Sequence, residues 1–458
     1  MFAVVDRGWT LRPVGPSNQT RLTWVRIHSA PQPHLLQLHL GAARFWHNRI
    51  GGTYIPPRRV PLDHRRQRRG CQSCDSQFIA EYSTAMESRI TKNVFCTYTG
   101  DESKADTTIF FISGNPGLIS YYHPFLSLLA KHLAADQGEG AKNESTFPES
   151  GSETSFRIYG CSLGGFEVAE QSQNDPPSEQ SFSSSSFNAN GPQGKNESDE
   201  SGPRLYDLEE QICFVQGKLN KLMRTISSGK KQKVILIGHS VGTYMAMEIL
   251  RRHRENTTEP QSDGADNSPD FDIIGGIMLF PTVMDISASP SGQKLTALLS
   301  IIPQFALVVS FFARLLTFVL PDSILKSAIR TVMKNPPPHA LETTFTFLKS
   351  PGGVRQALHM AADEMYTITT DKWSDDIWGV SSTRDPVARL FFYFGRNDHW
   401  VAEKTRDEII ALKGCTSKDG LGPKMFVCEE GLPHAFCLKH NEIMTRKVTG
   451  MIGEIVSS

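Results

Sequence analysis

The chain has 458 residues, 48 Lys and Arg against 48 Asp and Glu, and 39% hydrophobic residues; that apolar share excludes a wholly disordered chain, and the length fits two or three domains or one large α/β domain with insertions. The zero net charge averages unlike parts: residues 1–75 hold twelve Arg, no Lys and only Asp6, Asp63 and Asp75 as acids, a surplus of nine positive charges that the remainder cancels. The body carries no basic stripe interleaved with aromatics, so nucleic acid is not an expected partner.

Residues 1–77 form a basic, Arg-rich extension with little helical or strand periodicity, expected to be disordered. Two readings stand for it: a transit-like or membrane-surface segment, or a stretch outside the functional protein, with Met86 as the start. The opening lacks the apolar core of a secretory signal, so the sequons at Asn18, Asn143, Asn196 and Asn256 are expected to stay unmodified. Eight dispersed Cys do not make a disulfide framework, and Cys71-Gln-Ser-Cys74 is a lone pair without a second ligand pair.

From about Phe95 short apolar runs alternate with helical periodicity. Thr108–Ile112 reads as a buried strand, and Tyr122–Leu133 as a helix through Phe125, Leu128, Leu129 and Leu133. A strand at Phe156–Tyr159 precedes Gln171–Gly202, whose nine Ser and scarce apolar residues predict a disordered insertion. Leu205–Ile226 is an amphipathic helix with Leu208, Ile212, Val215, Leu219 and Leu222 on one face. Strand Lys233–Ile237, helix Thr243–Arg254 and strand Ile273–Phe280 follow. After a long segment come strand Arg389–Phe394, helix Ala402–Leu412, strand Lys424–Cys428 and a helix from Asn441 to Val456. Such alternation predicts an α/β fold: a mostly parallel sheet covered by helices on both faces, with its site at the carboxyl ends of the strands.

Two GxSxG strings occur, around Ser162 and Ser240. One arises by chance in roughly 15% of chains this long, taking about 7% each for Gly and Ser, so context must separate them. Ser240 lies between a buried strand and a helix, as a nucleophile elbow requires: Gly238 and Gly242 leave room for the sharp turn, with His239 and Ser240 at its tip. Ser162 follows a shorter strand, and the helix after it dissolves into the Ser-rich insertion. Ser240 is therefore the expected nucleophile.

A serine needs a base, and the base an orienting acid. In an elbow hydrolase the acid and the His follow the last strands. Arg389–Phe394 leads to Asp398, and Lys424–Cys428 leads to His434; Asp285 and His399 are their rivals. The oxyanion donors are expected from Val241, after the nucleophile, and from the loop after Thr108–Ile112, at Asn115, Gly117 or Leu118, since Pro116 has no N–H. No cofactor and no metal are expected.

These residues resemble the lipid droplet-associated hydrolase family. The resemblance rests on Gly114-Asn-Pro-Gly117 with Tyr121, Tyr122 and Phe125, on Tyr159–Gly165, Gly238-His-Ser-Val-Gly-Thr-Tyr244, Leu279-Phe-Pro-Thr282, Asn397-Asp-His-Trp400 and Pro433-His-Ala-Phe436. It covers about residues 95–456 outside the insertion. It implies an α/β-hydrolase fold, a triad of Ser240, Asp398 and His434, a lipid ester substrate (sterol ester or acylglycerol), and a place on lipid droplets and the cytosolic face of the endoplasmic reticulum. One departure is Ser162-Leu-Gly-Gly-Phe166, where the family tends to a Ser-His-Ala-Gly-His-like string.

The hydrolase core is thus expected at 78–283 and 386–458, interrupted by a helical cap at 284–385. Within the cap, 295–320 has 19 apolar residues of 26 and one charge, Arg314. It nearly matches a bilayer in length, but Pro303, Gln304 and Arg314 interrupt it, and a span here would part the triad residues. A helical hairpin dipping into one leaflet or a droplet monolayer is the favoured reading, and a helix pair packed over the site is the other. The expected function is a serine ester hydrolase acting on lipid esters at a droplet or membrane surface. The alternative is a droplet or membrane structural protein with a vestigial triad.

Overall fold

The computed structural model describes residues 88–138, 155–169, 203–226, 231–258, 270–302, 304–380, 388–414 and 422–457. The Arg-rich extension, the sequons at Asn18, Asn143 and Asn196, Cys71 and Cys74 and the Ser-rich insertion lie outside them, whereas Asn256 is exposed in the last turn of the helix Val241–Thr258. Eight strands form one sheet: β1 (Arg89–Ile90), β2 (Val94–Tyr98), β3 (Ala105–Ile112), β4 (Ser155–Cys161), β5 (Gln232–His239), β6 (Phe271–Leu279), β7 (Arg389–Phe394) and β8 (Lys424–Val427). Their order is β1-β2-β4-β3-β5-β6-β7-β8; β1 and β2 are antiparallel to their neighbours, and β4 to β8 run parallel.

The central strands are apolar on both faces because helices cover both. In β5 every residue from Val234 to Ile237 is at most 1% exposed, the signature of a doubly covered parallel strand. The covering helices are α1 (His123–Gly138), α2 (Leu208–Ile226), α3 (Val241–Thr258), α9 (Glu403–Lys413) and α10 (Asn441–Val456). In α2 the five apolar residues read from the periodicity are all buried. Helices α3 and α10 pack against β6, where the ideal Cβ position of Gly275 lies 2.6 Å from the Ile455 side chain.

Sheet register levels the carboxyl ends of these strands. Ile112 pairs with Gly238, His239 with Leu279, Leu279 with Tyr393, and Phe394 with Val427. The loops after β3, β5, β6, β7 and β8 therefore leave the sheet along one edge. Chain order reverses across β3 and β5, which opens a crevice between them.

Between β6 and β7 the chain builds α4 (Pro290–Ile301), α5 (Phe305–Val319), α6 (Asp322–Val332), α7 (Pro338–Lys349) and α8 (Gly353–Thr367). Ser289 caps α4 by accepting the Gly292 N–H at 2.9 Å. Helices α4 and α5 meet at 94° rather than folding back as a hairpin; Gln304, at φ 54°, lies in the left-handed region at the break and redirects the chain. Among the described residues no single helix is long and apolar enough to cross a membrane. The pair leaves large apolar side chains in the open: Ile301 is 73% exposed, Phe311 63% and Phe318 89%.

Candidate active site

The elbow after β5 is built by close approach. A Cβ on Gly242 would lie 2.4 Å from the Ile112 carbonyl oxygen, and one on Gly238 would lie 2.6 Å from the Gly242 oxygen. Both contacts are with backbone, so only glycine permits the turn. It holds Ser240 at φ 56°, a strained position for a non-glycine residue that raises the side chain above the sheet edge. The Ser240 N–H donates to the Leu279 carbonyl at 3.0 Å, which ties the turn to β6.

Three loops converge on that hydroxyl. His434, after β8, places Nε2 2.9 Å from Ser240 Oγ, and its Nδ1 lies 2.9 and 2.8 Å from the two oxygens of Asp398, after β7. The Asp398 side chain is 1% exposed and accepts the Trp400 N–H at 2.9 Å. Burial pushes its carboxyl up, but the His434 charge and hydrogen bond, with the Trp400 N–H, outweigh burial and leave it below the usual carboxylate range. An ionised Asp398 fixes a proton on Nδ1 and leaves the Nε2 lone pair to Ser240, the tautomer a general base needs. The rivals are not the ones joined here: His399 is exposed, and it is Asp398 rather than Asp285 that meets His434.

The candidate oxyanion donors separate by geometry. Val241 is the first residue of α3, so its N–H has no intrahelical acceptor. In the β3 loop, the ideal Cβ of Gly114 lies 2.9 Å from Ser240 Cβ, so the loop passes against Ser240 one residue before Asn115. Gly117 presses instead on Leu163, 2.5 Å from its own ideal Cβ. Leu118 is corrected out of the set: its N–H is spent on the Pro116 carbonyl at 2.9 Å.

Ser162 is a strut. It is 2% exposed, its Oγ accepts the Ile119 N–H at 3.2 Å, and its own N–H reaches the Asn93 carbonyl.

His239 has a partner set that the elbow motif did not reveal. Its Nε2 lies 2.8 Å from the His434 carbonyl and its Nδ1 2.8 Å from the Tyr122 hydroxyl, which itself accepts the Gly114 N–H at 3.2 Å. A carbonyl can only accept, so Nε2 carries the proton and Tyr122 donates to Nδ1. Burial, then the His434 charge, push the imidazole down to about 3, which keeps it neutral. One buried chain of hydrogen bonds thus joins the β3 loop, the elbow and the His434 loop. Phe280, in the left-handed region at φ 49°, stacks on Phe436 and turns its edge to both imidazoles.

A mostly parallel eight-stranded sheet with a serine on a strand-to-helix elbow, and an acid and a His after the last two strands, defines an α/β-hydrolase fold. A model of the family described as lipid-droplet associated hydrolase matches residues 105–437, and the chain belongs to that family. The Mus musculus lipid droplet-associated hydrolase is 27% identical over 354 residues, 77% of this chain and 86% of its own length. The Homo sapiens protein of that name is 25% identical over 351 residues, 76% and 85%. Similar solved structures include an ancestral haloalkane dehalogenase (TM-score 0.43, 13% identity, 81% of this chain and 98% of that one) and a Paleococcus ferrophilus monoacylglycerol lipase (TM-score 0.36, 12% identity, 79% and 99%).

Proposed function

We propose that the protein is a serine carboxylic ester hydrolase that acts on lipid esters, sterol esters or acylglycerols, presented at a lipid surface. The observation that carries this is His434 bridging Ser240 and Asp398 at 2.8–2.9 Å. Ser240 Oγ attacks the ester carbonyl while its proton passes to His434 Nε2, and Asp398 stabilises the imidazolium. The carbonyl oxygen becomes an oxyanion facing the N–H groups of Val241 and Asn115. Collapse breaks the ester bond, the alcohol leaves with the proton from His434, and an acyl-Ser240 ester remains. Water, deprotonated by His434, then releases the acid and restores the serine.

The lipid surface is supported by the cap. Phe311, Phe312, Leu315, Leu316, Phe318 and Val319 of α5 are 45–89% exposed, a patch that costs free energy in water and gains it against acyl chains. The name of the family supports a droplet as that surface, and we infer a place on droplets and the cytosolic face of the endoplasmic reticulum.

Labelling with a fluorophosphonate tests the chemistry. Wild-type protein is expected to label and Ser240→Ala is not; absence of Ser240-dependent labelling in folded protein would instead favour a structural role on the droplet. An ester panel with both proteins then assigns the substrate. For the surface, replacing Phe311, Phe312 and Phe318 together by Ser is expected to abolish flotation with triolein droplets while leaving the fluorophosphonate rate intact. Unchanged flotation would refute this use of α5.

A further inference from the structure

The cap helix α8 sends a buried carboxyl group into the β3 loop. Glu364 is 7% exposed, and its Oε1 accepts from Asn115 Nδ2 at 2.9 Å; the same Nδ2 reaches the Ala357 carbonyl, one helical stretch earlier, also at 2.9 Å. The side-chain amide of Asn115 is thus held between two acceptors on one rigid element. We propose that Glu364 is a positioning residue: by clasping the Asn115 side chain, it fixes the adjoining backbone N–H at the place where the oxyanion forms.

The argument rests on what else holds that loop. Gly114 is pinned on one side by its N–H to Tyr122 and by contact with Ser240. Leu118 closes the other end through the Pro116 carbonyl. Asn115 lies between these anchors and is half-buried, and its side-chain amide hydrogen bonds run to α8. A donor must sit within a few tenths of an ångström of its position to stabilise a transition state. Burying a carboxyl is costly, and it is pushed up to about 8, first by desolvation, against which the Asn115 hydrogen bond works. The neutral acid therefore serves as the acceptor, and a Gln of the same shape supplies the same oxygen.

The inference depends on the ester-hydrolase reading, and its test separates the two. The rate and the half-saturation of fluorophosphonate labelling at Ser240 are measured for wild type, Glu364→Gln, Glu364→Leu, Asn115→Ala and the Asn115→Ala/Glu364→Leu double variant, with thermal melting as a check on folding. Misplacing a reacting group by about 1 Å costs on the order of 10²-fold. The Leu variant is accordingly expected to lose about 10- to 100-fold in maximal labelling rate with little change in half-saturation. Gln is expected to stay within about 3-fold of wild type, and the double variant to fall no further than Asn115→Ala, because both changes cut one link. A Leu variant that labels at the wild-type rate, or losses that multiply in the double variant, would overturn the positioning role. Wild-type protein that fails to label would overturn the hydrolase reading, and this inference with it. Should Glu364→Leu fail to fold, the comparison of Asn115→Ala with Asn115→Ala/Glu364→Gln decides: a further loss of rate in that double variant refutes the clasp.

Discussion

The buried chain through His239 makes a quantitative prediction. His239→Leu removes the imidazole and leaves the Tyr122 hydroxyl proton and the His434 carbonyl without partners. Tyr122→Phe leaves His239 Nδ1 and the Gly114 N–H unpaired. Both residues are at most 4% exposed, so solvent cannot substitute. Each orphaned group costs about 1–3 kcal/mol, which puts either single variant about 2–6 kcal/mol below wild type. The double variant keeps only two of the four orphans, the His434 carbonyl and the Gly114 N–H. Its loss should therefore fall short of the sum of the singles by two orphans' worth, about 2–6 kcal/mol, whose lower end matches the range measured for directly coupled pairs. The assay is urea unfolding of all four proteins at pH 7, comparing midpoints where the slopes agree. Additivity within about 0.5 kcal/mol would show that His239 and Tyr122 are not one network.

Other outcomes follow from the same geometry. Asp398→Asn should lower kcat by on the order of 10³–10⁴-fold with KM nearly constant, because the amide no longer fixes the Nδ1 proton; a p-nitrophenyl ester assay checks this, and a loss confined to KM would contradict it. Gly242→Ala drives a methyl against the Ile112 and Ser113 carbonyl oxygens, at 2.4 and 2.7 Å, and should cost about 3 kcal/mol or more; a melting temperature equal to wild type would sink the close-approach argument. Glu364 gives a pH signature. Its carboxyl is raised from an ordinary 4.5 to about 8 by desolvation, and the negative charge of Asp363 on the same helix acts in the same direction. Between those values the folded chain holds a proton that the unfolded chain releases, so stability falls as pH rises, by up to about 1.4 kcal/mol per unit, and levels off above the higher value. Glu364→Gln should remove that slope, so a wild-type-minus-variant difference that stays flat from pH 5 to 9 would refute it.

What the sequence disclosed was local in its physics. The elbow could be read because Val234–Ile237, two glycines and a helical run lie close together in sequence, and Asp398 and His434 stand a few residues beyond apolar runs short enough to read as strands. What stayed hidden depends on distant partners. Arg89–Ile90 is a two-residue edge strand, exposed and without a periodic signature, that exists only by pairing with Phe95 and Cys96. His239 was legible only as part of the elbow; its hydrogen bonds run to Tyr122, 117 residues away, and His434, 195 away. Glu364 offered no signal, since its partner lies 249 residues upstream. Of the oxyanion candidates, Leu118 was eliminated by a turn hydrogen bond that no residue preference announces. The bend between α4 and α5 was legible as an interruption, through Pro303 and Gln304, but its angle was not.

The cap leaves the sheet after β6 and returns at β7, and these strands are neighbours that pair from Gly275–Arg389 to Leu279–Tyr393. The 109 residues from Phe280 to Ala388 therefore form a closed excursion whose two feet the ladder already holds together. Lengthening such an excursion raises its closure entropy only logarithmically, about 0.6 kcal/mol for each doubling. This excursion can thus be lengthened at little entropic cost to the strand ends that carry Ser240, Asp398 and His434. On the proposed function, a rebuilt cap must inherit the clasp of α8 on Asn115 along with its two feet.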